Sequence, residues 1–148
     1  MIVEISTQLD MSAERAWQTV KKSNTLVFIT KGLLGFSQNN FPTEWQEGET
    51  VTARLILFNF IPAWKHEIYF MRIDDKQYEL FTNEKGGIVS VWNHLIKVVP
   101  KREESCIYND KIEIEAGILT PIVWFFAQIF YRYRQRRWRF IKSVGNKR

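Results

Sequence analysis

Polar and apolar residues alternate at the start of the chain. Over Ile2–Leu9, the residues Val3, Ile5, Thr7 and Leu9 fall on one side and Glu4, Ser6 and Gln8 on the other. A period of two marks a half-buried strand. The period then lengthens: Ala13, Ala16, Trp17 and Val20 recur at helical spacing, behind Ser12, a residue suited to capping a first turn. A second short helix is predicted over residues 24–31, stopped by Gly32. Strand character returns near Leu34–Ser37 and, after a loop carrying Phe41 and Trp45, over residues 50–58, 64–73, 77–84, 88–99 and 103–116. Turn formers separate these runs: Pro62 within residues 59–63, Asp74-Asp75-Lys76, Lys85-Gly86-Gly87, and Pro100. In the last run Cys106, Tyr108, Ile112 and Ile114 alternate with Asn109, Lys111, Glu113 and Glu115.

The remaining segment is helical. Thr120 and Pro121 read as N-cap and first helical residue, and Gly145 as the stop of a helix reaching about residue 144. Ile122, Phe126, Ile129 with Phe130, Tyr133, and Phe140 with Ile141 trace its apolar stripe. The chain is thus α+β: one strand, two short helices, a meander completing a sheet of six to seven antiparallel strands, and one long helix. Such a sheet has one apolar face to cover, and the long helix is the element available to cover it. A sheet curved around that helix leaves room between them. The chain shows no repeat and no linker, and 148 residues suit one domain, 1–148.

Charge changes this picture in one place. The formal net charge is +5, but eight basic residues (Arg132, Arg134, Arg136, Arg137, Arg139, Lys142, Lys147 and Arg148) follow residue 131 with no acid among them. Removing those eight charges from +5 leaves −3 for the rest of the chain. The basicity belongs to the end of the long helix, where cations complement the helix dipole. Arginines interleaved with aromatics invite a nucleic-acid reading. Helical rather than clustered spacing, on a net acidic domain, argues for no nucleic acid and for transient contact with an anionic membrane surface. The single cysteine, Cys106, allows no intrachain disulfide. The N-terminus has no signal-like run, and the apolar stretch at 118–131 is too short to span a bilayer. A cytoplasmic protein is expected.

The order of elements resembles the START-related SRPBCC superfamily, whose helix-grip fold is shared with the birch-pollen allergen. Three stretches carry local likeness to a bacterial branch described as polyketide-cyclase-like or ligand-binding: the opening IVEISTQLDMSAERAWQTV, the strand pair FTNEKGGIVSVWNHLIKVVP, and SCIYNDKIEIE running into the Phe/Tyr/Arg-rich helix. The resemblance implies a helix-grip fold with an internal cavity. It does not carry one activity, because the superfamily includes carriers, receptors and enzymes.

Candidate chemistry follows from pairing the last two strands. A turn centred near Arg102 sets Cys106 against Val98, Tyr108 against Ile96, Asp110 against His94 and Ile112 against Trp92, all on the apolar side. His94 and Asp110 are then the polar pair of a greasy wall, close enough to interact. Asp110 could orient His94 as an acid, base or ligand anchor, with Tyr108 as a further candidate; the alternative is a structural pair. Trp64, His66, Tyr78, Trp92, Phe126, Phe130 and Tyr133 complete the expected lining, although His66 also suits a solvated or core position. Trp124, Phe125, Phe126 and Phe130 spread too widely for one helix face, so an exposed patch there would imply a homodimer or a membrane-facing mouth. Two distant histidines and one cysteine give no metal-ligand spacing, no nucleophile or phosphate-loop signature is visible, and no cofactor is expected. Few polar groups and many aromatics suit binding or carriage of a hydrophobic small molecule, a lipid or polycyclic compound, more than catalysis. The enzymatic alternative is a polyketide cyclase, aromatase or dehydratase using His94, Asp110 and a tyrosine.

Overall fold

The computed structural model describes residues 1–145, with side chains through residue 141. Seven strands form one antiparallel sheet: β1 (Ile2–Leu9), β2 (Leu34–Ser37), β3 (Thr50–Leu57), β4 (Ile61–Asp74), β5 (Glu79–Gly86), β6 (Val89–Arg102) and β7 (Ser105–Glu115). Their order is β1-β7-β6-β5-β4-β3-β2, so β1 leaves the meander and returns beside the last strand. Two short helices, α1 (Ala13–Val20) and α2 (Ser23–Thr30), follow β1, and α3 (Thr120–Gly145) closes the chain after a 3₁₀ turn at Gly117–Leu119. Ser12 caps α1 by accepting from the Arg15 N–H. Thr120 does not cap by preceding the helix: it is the first helical residue, and its hydroxyl closes the turn before it by accepting from Ala116 N and donating to Gly117 O.

The strands differ from their expected bounds where turns are tighter than composition suggested. β4 begins at Ile61, because Phe58 and Asn59 take the left-handed conformation and turn the chain in place of Pro62, which pairs with Ile56. Pro100 does not end β6. The Val98 N–H donates to Tyr78 O, and Pro100, two residues on, aims its nitrogen the same way, past the end of β5 where no acceptor waits. The β6–β7 turn is therefore Glu103-Glu104 rather than one centred on Arg102, and the register is displaced by two residues. His94 faces Ile112, Ile96 faces Asp110 and Val98 faces Tyr108. A shift of two keeps every side chain on its expected face.

The apolar stripe of α3 is also displaced, by roughly a third of a turn at 100° per residue. Ala127, Phe130, Tyr131, Arg134, Gln135 and Trp138 are buried, whereas Ile122, Phe126, Ile129 and Phe140 are exposed. Polar bonds fix this rotation. Trp124 Nε1 donates to Ile2 O and Gln135 Nε2 to Ile5 O, tying α3 to β1. Arg137 Nε donates to Phe28 O and the Tyr133 hydroxyl to Lys31 O, tying it to α2. Gly32, in the left-handed conformation, leaves space for the Tyr133 ring that a Cβ would fill. The helix thus rests on β1 and α2 and stands away from β3–β5.

Two clusters form the core. In the larger, Trp17, Tyr108, Val98, Cys106 and Trp138 pack below α1 and the end of α3. In the smaller, Val3, Ile112, Ile114, Ala127, Phe130 and Tyr131 join α3 to β1 and β7. Cys106 is fully buried, and burial pushes its thiol up to about 11, as for an inert small hydrophobe. Lys142 lies outside the residues whose side chains are described, and Lys147 and Arg148 outside the described structure. No helix among the described residues is long and apolar enough to cross a membrane.

Candidate functional site

The space between the sheet and α3 is a cavity of about 380 Å³, within the roughly 300–1,000 Å³ of small-molecule sites. Its floor is the inward face of β3–β6, where alternation delivers Leu55, Ile68, Leu80 and Ile96. Stacked Trp45 and Phe70 rings, 4.7 Å apart, close one side. The mouth is bordered by Trp64, Ile88, Ile122 and Phe126, all exposed. Trp64 packs on a seat of two glycines: a Cβ on Gly86 would come within 2.6 Å of the indole, and one on Gly87 likewise. Gly86, the last residue of β5, is thus part of the cavity wall, and the turn itself is Gly87-Ile88 rather than Lys85-Gly86-Gly87.

The structure brings most of the expected residues together. Trp64, His66, Trp92 and His94 line the cavity from the sheet, with Tyr108 from β7 and Phe126 and Phe130 from α3. Three expected residues do not line it. Tyr78 precedes β5 in the left-handed conformation and stacks on Trp17 at 5.7 Å. Tyr133 is drawn to Lys31 and Gly32 by its hydroxyl. Asp110 lies behind the wall, fully buried, and acts on the cavity only through its partners.

Those partners form a buried polar network. His94 Nε2 lies 2.6 Å from Asp110 Oδ1, although the two residues are diagonal rather than opposite. The Tyr108 hydroxyl donates to the same oxygen at 3.1 Å, and Gln135 Nε2 donates to Oδ2 at 3.1 Å. Burial by itself would raise the Asp110 carboxyl, but the His94 hydrogen bond and the charge of Arg134 hold it below the usual carboxylate range. An ionised carboxylate only accepts, so His94 Nε2 carries the proton between them. Burial and the Asp110 charge raise the Tyr108 hydroxyl far above its ordinary value, so it stays a donor.

A second carboxylate, Glu84, faces the cavity from β5. Its Oε2 is 2.8 Å from His66 Nε2, its Oε1 accepts from the Thr82 hydroxyl at 3.0 Å, and Oε1 lies 3.9 Å from His94 Nδ1. Burial would raise this carboxyl too, yet its interactions with His66, His94 and Thr82 hold it below the ordinary range. His94 therefore stands between two carboxylates. Above it, Tyr131 meets the His94 ring edge-on at 5.0 Å and accepts from Trp92 Nε1 at 3.1 Å.

Sequence reading missed Glu84, Tyr131, Arg134 and Gln135. The signal for Glu84 was parity: Leu80, Thr82 and Glu84 alternate onto one face, diagonal to both histidines. For Arg134 it was helical spacing, four residues from both Phe130 and Trp138. Arg134 is not part of a solvated basic face. It is buried, lines the cavity, and stacks its guanidinium 4.9 Å from the Tyr131 ring centre and 5.8 Å from that of Phe130. Among the described residues no group of three or more His, Cys, Asp or Glu side chains is arranged to hold a metal ion.

No protein-family model and no curated protein matches the sequence. Solved structures match its fold over nearly its whole length. A structure of norcoclaurine synthase from Thalictrum flavum in complex with dopamine and hydroxybenzaldehyde superposes with a TM-score of 0.74 at 15% identity, covering 100% of this chain and 88% of that one. A protein from Thermus thermophilus gives 0.73 at 14% identity, covering 99% and 100%. A START superfamily protein from Mycobacterium smegmatis gives 0.67 at 12% identity, covering 92% of each chain. With its seven-stranded curled sheet, paired short helices after β1 and long closing helix, the chain shares the helix-grip fold of these structures, a START superfamily protein among them.

Proposed function

We propose that the protein binds or carries a hydrophobic small molecule, a lipid or a flat polycyclic compound, in the cavity between the sheet and α3. One observation carries this reading: an apolar cavity of about 380 Å³ opens to solvent at a rim of exposed Trp64, Ile88, Ile122 and Phe126. Apolar surface left in water at a mouth, continuous with an apolar interior, is stabilised when a ligand covers both. The similar norcoclaurine synthase was solved with two small aromatic molecules bound, which supports a flat ligand class. Native mass spectrometry of the protein purified under mild conditions tests the reading. A co-purified small molecule that leaves on gentle activation is the expected result. A bare mass, together with no uptake of the uncharged probe N-phenyl-1-naphthylamine, would count against it.

The polar network supports binding over acid–base catalysis. Both ring nitrogens of His94 face protein carboxylates, so neither points freely at a substrate. A cyclase, aromatase or dehydratase reading keeps one observation in its favour: His94 and Tyr108 both reach the cavity wall from a single buried carboxylate. Turnover of a polyketide-like substrate that is lost in His94→Gln, with folding retained, would favour the enzyme.

Contact with an anionic membrane would use Arg136 and Arg139, which are exposed on α3. Salt-sensitive flotation with anionic but not neutral vesicles is expected. Equal flotation with both would remove that contact. The exposed Ile118, Phe125 and Ile129 near the start of α3 would serve a homodimer or a membrane-facing mouth.

A further inference from the structure

Arg134 is the one cavity-lining cation among the described residues other than the histidines. It is 5% exposed, yet its Nε is a buried donor without a partner, and its guanidinium makes no hydrogen bond to another described residue. Its counter-charge, Asp110, is engaged elsewhere: Oδ1 takes His94 and Tyr108, and Oδ2 takes Gln135. Asp110 offsets the Arg134 charge through space without occupying its donors, and the guanidinium stays protonated because Asp110 and the other groups around it, Glu84 among them, together outweigh the effect of burial. Tyr131 and Phe130 cover its faces. What remains unmet is the donor edge of a planar fork, and leaving such an edge dry costs free energy. His66 Nδ1 and Trp138 Nε1 are likewise buried without a partner on residues that line the cavity, the first so close to Gly86 that a Cβ there would sit 2.8 Å from it. Of these three cavity-lining residues, Arg134 is the permanently charged one and the one with a planar fork of donors.

From this geometry we infer that Arg134 is the polar anchor of the cavity, receiving a planar oxygen acceptor, a carboxylate or a conjugated carbonyl, at the inner end of an otherwise apolar ligand. The inference rests on the cavity-binding reading and narrows its ligand class. The bound molecule is amphipathic: its oxygen end meets Arg134 below Phe130 and Tyr131, and its apolar body fills the floor of Leu55, Ile68 and Ile96 toward the mouth. A carboxylate gains a bidentate, charge-assisted pair. A carbonyl gains one strong hydrogen bond and leaves the pocket's charge unchanged.

Three probes with one flat body separate these cases: 2-naphthoic acid, 2-acetonaphthone and 2-ethylnaphthalene, titrated by fluorescence or calorimetry into the full chain. At least one oxygen-bearing probe is expected to bind on the order of tenfold or more tighter than 2-ethylnaphthalene, the scale of a hydrogen bond to a charged group. Which of the two does so identifies the acid or the carbonyl. Arg134→Met should abolish that preference while affinity for 2-ethylnaphthalene is kept. As Arg134→Met could fail to fold, the Arg134 Nε–H resonance of the unmodified protein, assigned with Arg134→Lys, gives an independent readout. It should shift with the preferred probe and stay in place with 2-ethylnaphthalene. Equal affinities for all three probes, a preference that survives Arg134→Met, or an unmoved resonance would overturn the anchor while leaving the cavity reading intact. Failure of all three probes to bind would overturn both.

Discussion

The two halves of α3 meet opposite demands. From Phe130 onward the helix is locked: Tyr131, Arg134, Gln135 and Trp138 are buried, and Gln135, Arg137 and Tyr133 bond to β1 and α2. Before Phe130 it is buried along one side only, where Ala127 meets the smaller core cluster. Ile122, Phe125 and Ile129 face solvent, and the Trp124 indole is its hydrogen-bonded link to β1. One helix thus serves as a fixed anchor on β1 and α2 at one end and as one side of a mouth at the other. The difference shows how an amphipathic element can carry stability and function in separate segments. Residues buried in the locked half set the fold, whereas apolar residues left exposed in the other half border the cavity.

The sharpest way to break this comparison is at the locked end. Trp138 is fully buried, with the Tyr108 ring 4.9 Å away. Trp138→Ala should cost about 3–5 kcal/mol in urea unfolding. Removing the polar network beneath it comes next. His94→Gln should cost about 1–3 kcal/mol, because it leaves the Asp110 carboxylate short of its closest donor. Acid reaches the same network without mutation. Asp110 and Glu84 both titrate below their ordinary values in the folded protein. Their stabilisation is therefore fully present above the unfolded carboxylate range, about pH 4, and is lost as pH falls through the lower folded values. The melting temperature should hold from neutral pH down to about 5 and then fall. In His94→Gln that acid-dependent fall should shrink.

The open half should respond differently. Gly86→Ala pushes a Cβ into Trp64 and His66, and overpacking of this kind costs about 1–3 kcal/mol. Its clearer sign should be altered uptake of N-phenyl-1-naphthylamine, since Trp64 borders the mouth. Smallest of all is Ile122→Ser, expected within about 0.5 kcal/mol of the unmodified protein because the side chain is already exposed. A loss of several kcal/mol there would show that the start of α3 is packed in solution, against a second copy or otherwise.

Much of this was legible in the alternation of residues. Strand parity placed His94, Tyr108 and Asp110 on the inner face even though the β6–β7 register lay two residues away, because a shift of two preserves the face. Register itself was hidden. Pro100 reads as a strand end, and nothing local shows that β5 stops before its nitrogen needs a partner. The rotation of α3 was hidden for a similar reason. Phe126, Ile129 and Phe140 suggest one buried stripe, but Gln135, Arg137 and Trp124 bond to backbone carbonyls of β1 and α2 and turn another inward. Arg134 was masked by its neighbours: in a run of arginines its one mark is spacing, four residues from Phe130 and from Trp138, which shows only once the buried stripe of α3 is known. Glu84 carried its signal in plain parity, as a carboxylate between Thr82 and Gly86 on an apolar strand face.

The central claim is that a hydrophobic molecule occupies the space between β3–β6 and α3. Its most direct test is nuclear Overhauser spectroscopy of methyl-labelled protein with bound N-phenyl-1-naphthylamine. The expected result is saturable one-to-one binding with contacts from the probe to the methyl groups of Leu55, Ile68, Leu80 and Ile96, all on the cavity floor. No binding, or contacts confined to surface methyls such as Ile118 and Ile129, would contradict it.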